Sequence, residues 1–311
     1  MPIRVTVQTE KAQAEPAGLW NGVAVRGYRV SNKVGECPSW HAGERRLYWV
    51  DVRRQQLLRL DTQASEISRW ELPEVVGALA LLPSGQVWLG LRHRLVELDL
   101  ESGRIEDVCD VESDRPSNRL NDGKVSPTGR WFVFGSMDDR PEKMPTGALY
   151  CVSANGHVAR LYDGLVVSNG IAWSPDASVL YFSDSTRGLL MHAPWNEERG
   201  EMGVARVLAH LDEGQGRPDG AAVDAQGNYW SAGVSAACLN QLDAHGTLLR
   251  KLQLPCRAPT MAAFAGDGSR TVFVTSLVRS TWREIGPWDG ALLELDMGVP
   301  GLVPPLLGQA L

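Results

Sequence analysis

The sequence predicts an all-β protein, a single six-bladed β-propeller with a central channel. Short segments rich in aromatic or β-branched residues and bounded by Gly, Pro, Asp or Ser run through the chain, and no amphipathic helix of three turns interrupts them. These segments also recur about every 40–50 residues, with roughly four strands in each repeat, which is typical of a propeller.

Each repeat begins with small and apolar residues, continues through a turn and ends on an aromatic strand. Six stretches follow this pattern, namely ECPSWHAGERRLYWVD, GALALLPSGQVWLG, NDGKVSPTGRWFVFG, NGIAWSPDASVLYFSD, DGAAVDAQGNYWSAG and TMAAFAGDGSRTVFVT. The turn position falls at Ala42, Pro83, Pro127, Pro175, Ala225 and Gly266. Six repeats predict six blades, and the tryptophans that follow the repeat are expected to pack between the blades.

The two ends of the chain are expected to meet in the last blade. Residues 18–30 look strand-like but precede the first full repeat, whereas the last repeat closes with GALLELDM. A ring that builds one blade from both termini leaves no open sheet edge. We therefore expect the N-terminal strand to close the last blade, residues 17–311 to form one propeller domain, and residues 1–16 to form a flexible arm.

Composition and charge narrow the environment and the partners. A hydrophobic fraction of 43% and a charged fraction of 22% over 311 residues are those of an ordinary globular protein. The formal net charge of −6 argues against a nucleic-acid partner. The N-terminus lacks the apolar core of a signal peptide, no apolar run has the length of a membrane span, and the five cysteines are scattered. We expect a cytoplasmic protein with reduced thiols and no membrane partner.

A set of equivalent positions in the repeats predicts a metal site. The residues six positions before each turn are Glu36, Gly77, Asn121, Asn169, Asp219 and Thr260. Equivalent positions at the start of the innermost strands surround one end of a propeller channel, and four of these six carry oxygen donors, which suit a hard divalent cation. Asn and Asp also favour turns for local reasons. Two carboxylates facing each other across a channel would nevertheless repel unless a cation or a shared proton lay between them.

Four stretches of the chain also resemble a known family. They are GECPSW at residues 35–40, NRLNDGKVSPTGRWFVFGSM at 118–137, SNGIAWSPD at 168–176 and RPDGAAVDAQGNYW at 217–230. In this order they resemble the gluconolactonase/regucalcin (senescence marker protein) family of six-bladed propellers. The resemblance extends from residue 35 to about residue 301.

The resemblance implies roles for individual residues. Glu36, Asn169 and Asp219 match the residues that bind the metal in the family, and Asp219 also matches the proposed catalytic base. Arg119 and Asn121 match residues that contact the sugar lactone. An acidic residue after the G-S-M segment binds substrate hydroxyls in some members. Here Asp138, Asp139 and Glu142 all follow Met137, so spacing does not choose among them, and we take Asp139 as the candidate.

The predicted function is hydrolysis of a sugar lactone, an aldonolactone, to the aldonic acid, with one divalent metal ion as Lewis acid and Asp219 as general base. Ca²⁺ or Zn²⁺ is expected first, and Mn²⁺ and Mg²⁺ stay open. A metal-dependent phosphotriesterase, a promiscuous lactonase and a non-catalytic calcium-binding propeller are the alternatives. No H-E-x-x-H or G-x-S-x-G motif supports a histidine-based zinc site or a serine hydrolase.

Substrate specificity is expected in loops rather than in the repeated strands. The candidate loops are residues 138–146, 195–203 and 279–289. In the last of these, Trp282 and Trp288 could pack over a sugar face or simply cover the channel. The sequence predicts neither the sugar nor the oligomeric state.

Overall fold

Six antiparallel sheets surround a central channel in the computed structural model, which describes residues 5–309 and, at Asp267, the backbone alone. In chain order the strands are β1 (Val7–Lys11), β2 (Glu15–Trp20), β3 (Val23–Tyr28), β4 (Gly35–His41), β5 (Arg46–Asp51), β6 (Gln56–Asp61), β7 (Glu66–Glu71), β8 (Ala78–Leu81), β9 (Val87–Gly90), β10 (Arg94–Leu98), β11 (Ile105–Asp110), β12 (Asn118–Val125), β13 (Trp131–Asp138), β14 (Gly147–Ser153), β15 (Val158–Leu165), β16 (Ser168–Trp173), β17 (Val179–Asp184), β18 (Leu189–Asn196), β19 (Glu201–Met202), β20 (Arg206–His210), β21 (Pro218–Val223), β22 (Tyr229–Gly233), β23 (Cys238–Leu242), β24 (Leu248–Gln253), β25 (Pro259–Ala265), β26 (Thr271–Ser276) and β27 (Leu292–Asp296). A single 3₁₀ turn, Asp267–Ser269, is the one helical element of the described chain.

Each sheet is one blade of a propeller. The first blade contains β4 to β7, the second β8 to β11, the third β12 to β15, the fourth β16 to β20 and the fifth β21 to β24. The first strand of every blade contacts the first strands of the blades on either side, and β25 of the sixth blade lies against β4 of the first. The predicted fold class, an all-β six-bladed propeller with a central channel, is confirmed.

The sixth blade joins the two ends of the chain, as the sequence predicts. Strand β27 pairs antiparallel with β3, with Leu293 opposite Gly27, and β2 continues the sheet outward. This pairing satisfies the backbone groups of β27 that an open ring would leave at an edge.

Part of the segment expected to be a flexible arm is a strand in the structure. Residues 1–4 lie outside the described residues. Strand β1 pairs antiparallel with β7 and becomes the outermost strand of the first blade, with Lys11 opposite Glu66. Its side chains are all exposed, and the contact consists of backbone hydrogen bonds and ion pairs such as Lys11–Glu66. Such contacts leave no hydrophobic pattern in the sequence.

Aromatic side chains fill the spaces between the blades. Five of the six tryptophans that follow the repeat are buried, namely Trp40, Trp49, Trp88, Trp173 and Trp230. The sixth, Trp131, is half-buried, and its indole N–H donates to the backbone oxygen of Glu197. Full burial of a large apolar side chain stabilises the fold by about 1.5–3 kcal/mol. The repeat therefore specifies the packing between blades.

The C-terminal segment crosses one end of the channel. Leu302 N–H donates to Val223 O, Leu307 N–H to Leu81 O and Gly308 N–H to Gly129 O, so the segment spans from the fifth blade to the second and third. Between it and the inner strands lies a cavity of about 400 Å³ with a mainly apolar lining. We call this the closed end of the channel. The described residues contain no helix with the length and apolar character that a membrane crossing requires.

Candidate metal and substrate site

The predicted ring residues lie together at the end of the channel opposite the closed end. Glu36, Asn169 and Asp219 are each the second residue of an inner strand, and Asn121 is the fourth residue of β12. All four are buried. The repeat therefore brings to one place the residues that the sequence singled out.

An irregularity in strand pairing lies beside the ring residue in five of the six blades. Glu36 lies opposite Val50, but Ser39 lies opposite Tyr48, so two residues of β4 oppose one of β5. Register shifts also occur after Asn121 and Asn169, and in β21 and β25. Such bulges bend a strand and redirect side chains, and they are frequent beside active sites. Gly170, which follows Asn169, has a φ of 68°, a value that favours glycine.

Glu36 and Asp219 are two buried carboxyl groups in mutual repulsion. Burial and the nearby charges of Asp219 and Asp122 raise the pKa of Glu36 well above its ordinary value. Burial and Asp122 raise the pKa of Asp219 to about 7, although Arg217 opposes the shift. Atom Oε2 of Glu36 is buried and has no hydrogen-bond partner among the described residues. An unpaired buried acceptor costs about 1–3 kcal/mol.

A chain of hydrogen bonds orients the two asparagines. Arg119 Nη1 donates to Asn121 Oδ1 (2.7 Å), and Asn121 Nδ2 donates to Asn169 Oδ1 (3.0 Å). Asn169 Nδ2 in turn donates to Ser185 Oγ (2.8 Å). The oxygen of Asn169 therefore faces the site and keeps a second lone pair. The oxygen of Asn121 already accepts from a guanidinium, so Asn121 positions Asn169 rather than completing the ligand set.

The donor set fits a hard divalent cation. Two carboxylates and one amide oxygen are the ligands that Ca²⁺, Mg²⁺ and Mn²⁺ prefer, and the unpaired Oε2 of Glu36 is an acceptor that a cation would satisfy. Within residues 5–309, no group of three or more His, Cys, Asp and Glu side chains could hold a metal by itself. The fit therefore depends on the amide oxygen of Asn169, which nitrogen- and sulfur-rich zinc sites do not need.

Asp122 belongs to the site, although the sequence analysis did not single it out. Its Oδ2 accepts from the backbone N–H of Ile171 (3.1 Å) and its Oδ1 from that of Gly123 (2.7 Å), so it joins β12 to β16. It also adds a negative charge near Glu36 and Asp219. The segment N-D-G, with Asp122 at a φ of 51°, is the signal that could have identified it.

Gly77 is the ring position that lacks a side chain, and it makes room for Arg119. A Cβ at Gly77 would lie 2.1 Å from Leu120 O and 3.0 Å from Arg119 Nη1. Arg119 is itself buried, with Nη1 donating to Leu120 O (2.9 Å). A glycine in the second blade therefore allows the guanidinium of the third blade to lie at the channel.

Three arginines surround Asp139, the acidic residue chosen as a substrate-binding candidate. Arg53 donates from both terminal nitrogens (2.6 and 3.2 Å), Arg92 from Nη2 (3.2 Å) and Arg119 from Nε (3.1 Å). The guanidinium groups of Arg53 and Arg119 hold the pKa of Asp139 below its ordinary value against the opposing effect of burial. Asp139 therefore lies beside Arg119, whereas Asp138 binds Arg140.

Sequence analysis missed Arg53 and Arg92, although the repeat contains a signal for them. Each stands two residues after the end of the second strand of its blade, in the loops after β5 and β9. That end of the second strand meets the start of the inner strand, where the ring residues lie.

Two of the three expected specificity loops lie at the site end. Residues 138–146 and 279–289 follow second strands, but residues 195–203 lie at the closed end, where Glu197 accepts from Ser126 Oγ. The expectation for residues 195–203 is wrong because β18 runs away from the site. Trp288 packs in the core of the last blade, and Trp282 stacks on Arg257 at 3.9 Å.

Comparison with known proteins finds similar sequences and structures. The sequence model of the SMP-30/Gluconolactonase/LRE-like region matches residues 34–278. The 6-deoxy-6-sulfogluconolactonase of Pseudomonas putida is 34% identical over 282 residues, which cover 89% of this chain and 96% of that protein. The L-arabinolactonase of Azospirillum brasilense is 33% identical over 267 residues, or 85% of this chain and 86% of that protein.

A solved structure shows the same architecture. The calcium-binding protein regucalcin from Agrobacterium tumefaciens superimposes with a TM-score of 0.85 at 27% identity, covering 90% of this chain and 96% of that one.

Proposed function

The chain belongs to the SMP-30/gluconolactonase/LRE-like family, and from this premise we propose that it is a divalent-metal-dependent sugar lactonase that hydrolyses an aldonolactone to the aldonic acid. The observation that carries the proposal is the pair Glu36 and Asp219, two buried carboxyl groups beside the oxygen of Asn169, with one oxygen of Glu36 unpaired. Two similar proteins are named as lactonases of different sugars, so membership supports the reaction and leaves the sugar open.

Glu36, Asn169 and Asp219 would hold the ion. When bound, such an ion polarises a carbonyl group and lowers the pKa of water. The oxygen-only donors favour Ca²⁺, Mn²⁺ or Mg²⁺ over Zn²⁺. Because Asn121 holds the amide of Asn169 in one orientation, the ligand set is preorganised.

Asp219 acts as the general base in the proposed reaction. Its carboxylate takes one proton from the water as the water oxygen bonds to the lactone carbonyl carbon. When the ring C–O bond breaks, Asp219 returns this proton to the ring oxygen, which leaves as a hydroxyl of the open acid. Arg119 and Asn121 orient the sugar hydroxyls by hydrogen bonds.

The polar side chains at the site favour this reaction over the alternatives. Buried polar groups such as Arg119 and Asn121 can also hydrogen-bond the hydroxyl groups of a sugar lactone, which an apolar phosphotriester lacks. A non-catalytic calcium-binding propeller would need the ligands but not the arginines beside them.

The proposal is tested by acid release from a panel of aldonolactones, using metal-free protein and protein supplied with each cation in turn. We expect metal-dependent hydrolysis by the natural chain and at least a tenfold weaker metal affinity in Glu36→Gln, measured by calorimetry. Asp176→Asn is the matched control, because Asp176 forms an exposed turn with Ser178.

Three other results would change the assignment. Metal binding without release of acid from any lactone would support the calcium-binding alternative. Acid release from phosphotriesters in the same assay, but from no lactone, would support the phosphotriesterase alternative. Unchanged metal affinity in Glu36→Gln would exclude Glu36 as a ligand.

A further inference from the structure

A cluster of cationic side chains lies beside the candidate metal site. Arg53, Arg92 and Arg119 come from three successive blades and meet at Asp139. Lys143, from the loop after β13, lies beside them, because its Nζ donates to the backbone oxygen of the residue before Asp139. Burial, and then the charge of Arg119, lowers the pKa of Lys143. We call these four residues the cationic cluster.

The cationic cluster carries more charge than its carboxylate can neutralise. Asp139 supplies one negative charge against three guanidinium groups and one ammonium group. Glu36 of the metal site offsets only the charge of Arg119, so Arg53, Arg92 and Lys143 share Asp139. Asp138, the neighbouring acid, is held by Arg140, while Lys143 Nζ donates to the backbone oxygen of Asp138 (2.9 Å). The chain as a whole has a formal net charge of −6, so this positive surplus is local. Like charges in a partly buried place destabilise the fold unless an anion binds among them.

Two arginines of the cluster remain accessible. The side chains of Arg53 and Arg92 are 42% and 34% exposed, whereas Asp139 is 9% exposed beneath them. Arg92 gives one N–H to Asp139 and one, at 3.5 Å, to the backbone oxygen of Asn118, so three of its five side-chain donors stay available. The planar guanidinium binds carboxylate, phosphate and related oxyanions through paired hydrogen bonds.

The cationic cluster and the metal site are joined by direct contacts. Arg119 binds Asp139 through Nε and Asn121 through Nη1, and Asn121 binds Asn169. One guanidinium therefore connects the accessible arginines to the site where the lactone carbonyl is expected.

We propose that the substrate lactone carries an anionic group, a sulfonate, phosphate or carboxylate, at the end remote from its carbonyl, and that Arg53, Arg92 and Lys143 bind this group. The inference rests on the proposed lactonase function. Arg119 is then a positioning residue between the two halves of the substrate, and Asp139 keeps the arginines in place before the substrate arrives.

The test compares glucono-δ-lactone, which is neutral, with its 6-sulfo and 6-phospho derivatives and with glucarolactone, which carries a carboxylate. We expect kcat/KM to be at least tenfold higher for one or more of the anionic lactones, and the strongest of them identifies the anion. The ratio of anionic to neutral kcat/KM should fall about tenfold in Arg92→Gln and in Lys143→Met. Arg140→Gln is the control, because Arg140 stands at the same repeat position but pairs with Asp138.

Binding of 6-phosphogluconate and of gluconate is measured by calorimetry in parallel. These data distinguish a failure of the anionic-substrate proposal from a failure of the lactonase proposal. Hydrolysis of all the lactones at similar rates, with no effect of Arg92→Gln on the ratio, would overturn the anionic substrate and leave the lactonase intact. Absence of all hydrolysis would overturn the lactonase. In that case, at least tenfold tighter binding of 6-phosphogluconate, lost in Arg92→Gln, would still support the anion site, and equal binding would overturn it.

Discussion

The two ends of the channel are built by the same inner strands and have opposite chemistry. At the site end, Glu36, Asn169 and Asp219 are buried polar groups, one of which has an unpaired oxygen. At the closed end, the lining is mainly apolar and includes Trp173 and Phe264, and the C-terminal segment covers it with backbone hydrogen bonds. The first residues of the inner strands thus carry the buried polar groups of the candidate site, and their last residues line an apolar cavity.

The difference has a thermodynamic consequence. Buried carboxylates that repel each other reduce the stability of the metal-free protein, whereas burial of apolar groups increases it. Substitutions at the site end should therefore lower activity without lowering stability, and substitutions at the closed end should lower stability without lowering activity.

The largest expected effect is on activity at the site end. Asp219→Asn keeps the shape of the side chain but removes the base and one of two repelling charges, so kcat should fall about 10³-fold. The melting temperature of the metal-free variant should equal or exceed that of the natural chain. Lactone hydrolysis and calorimetric melting measure the two effects. Full activity would exclude Asp219 as the base, and a large loss of metal-free stability would contradict the repulsion.

The next effect is on stability at the closed end. Phe264 is buried against the C-terminal segment, where a Cβ added at Gly301 would meet its ring at 2.0 Å. Phe264→Ala should lower the free energy of unfolding by about 3–5 kcal/mol, because it removes packed apolar surface and leaves a cavity. Activity per folded molecule should change less than twofold. Val207→Ala, at an exposed position, is the control for denaturant unfolding. A large loss of kcat in folded Phe264→Ala would show that the two ends are coupled.

Much of the fold, and the convergence of the proposed metal ligands, followed from the sequence because both obey the repeat. Glu36, Asn169 and Asp219 could be found by counting, since equivalent positions in a propeller surround the channel. Arg53 and Arg92 were missed because the counting started from the inner strands alone, although their loops repeat as well. Predicting the position of residues 195–203 requires the direction in which β18 runs, because strand direction alternates from strand to strand within a blade.

The C-terminal cover and strand β1 could not be derived in this way. Both segments lie outside the repeat. Ion pairs such as Lys11–Glu66 and packing on Phe264 add to their contacts, but backbone hydrogen bonds, as at Leu302, set their position. Neither periodicity nor composition encodes such a contact, because any residue other than proline can donate the N–H.

The smallest expected effect concerns Lys124, which lines the closed-end cavity and lies near Asp122 of the site end. Its Nζ donates to the backbone oxygen of Ala221. Burial lowers its pKa from 10.5 to about 8, with Asp122 and then Cys37 opposing the shift. Between pH 8 and 10.5 the unfolded chain binds more protons at this lysine than the folded chain does, so its contribution to stability rises with pH in this window and is constant below it.

Replacing the amine with an apolar side chain should remove this dependence. The free energy of unfolding of the natural chain, minus that of Lys124→Met, should increase between pH 8 and pH 10 when both are measured in urea. Taking the difference cancels the tyrosine and cysteine titrations common to both proteins, and Lys11→Met, at an exposed strand, should show no such change. A difference that stays flat would mean that Lys124 keeps its charge at pH 10, and that the polar character of the site end reaches further along the channel than the apolar lining indicates.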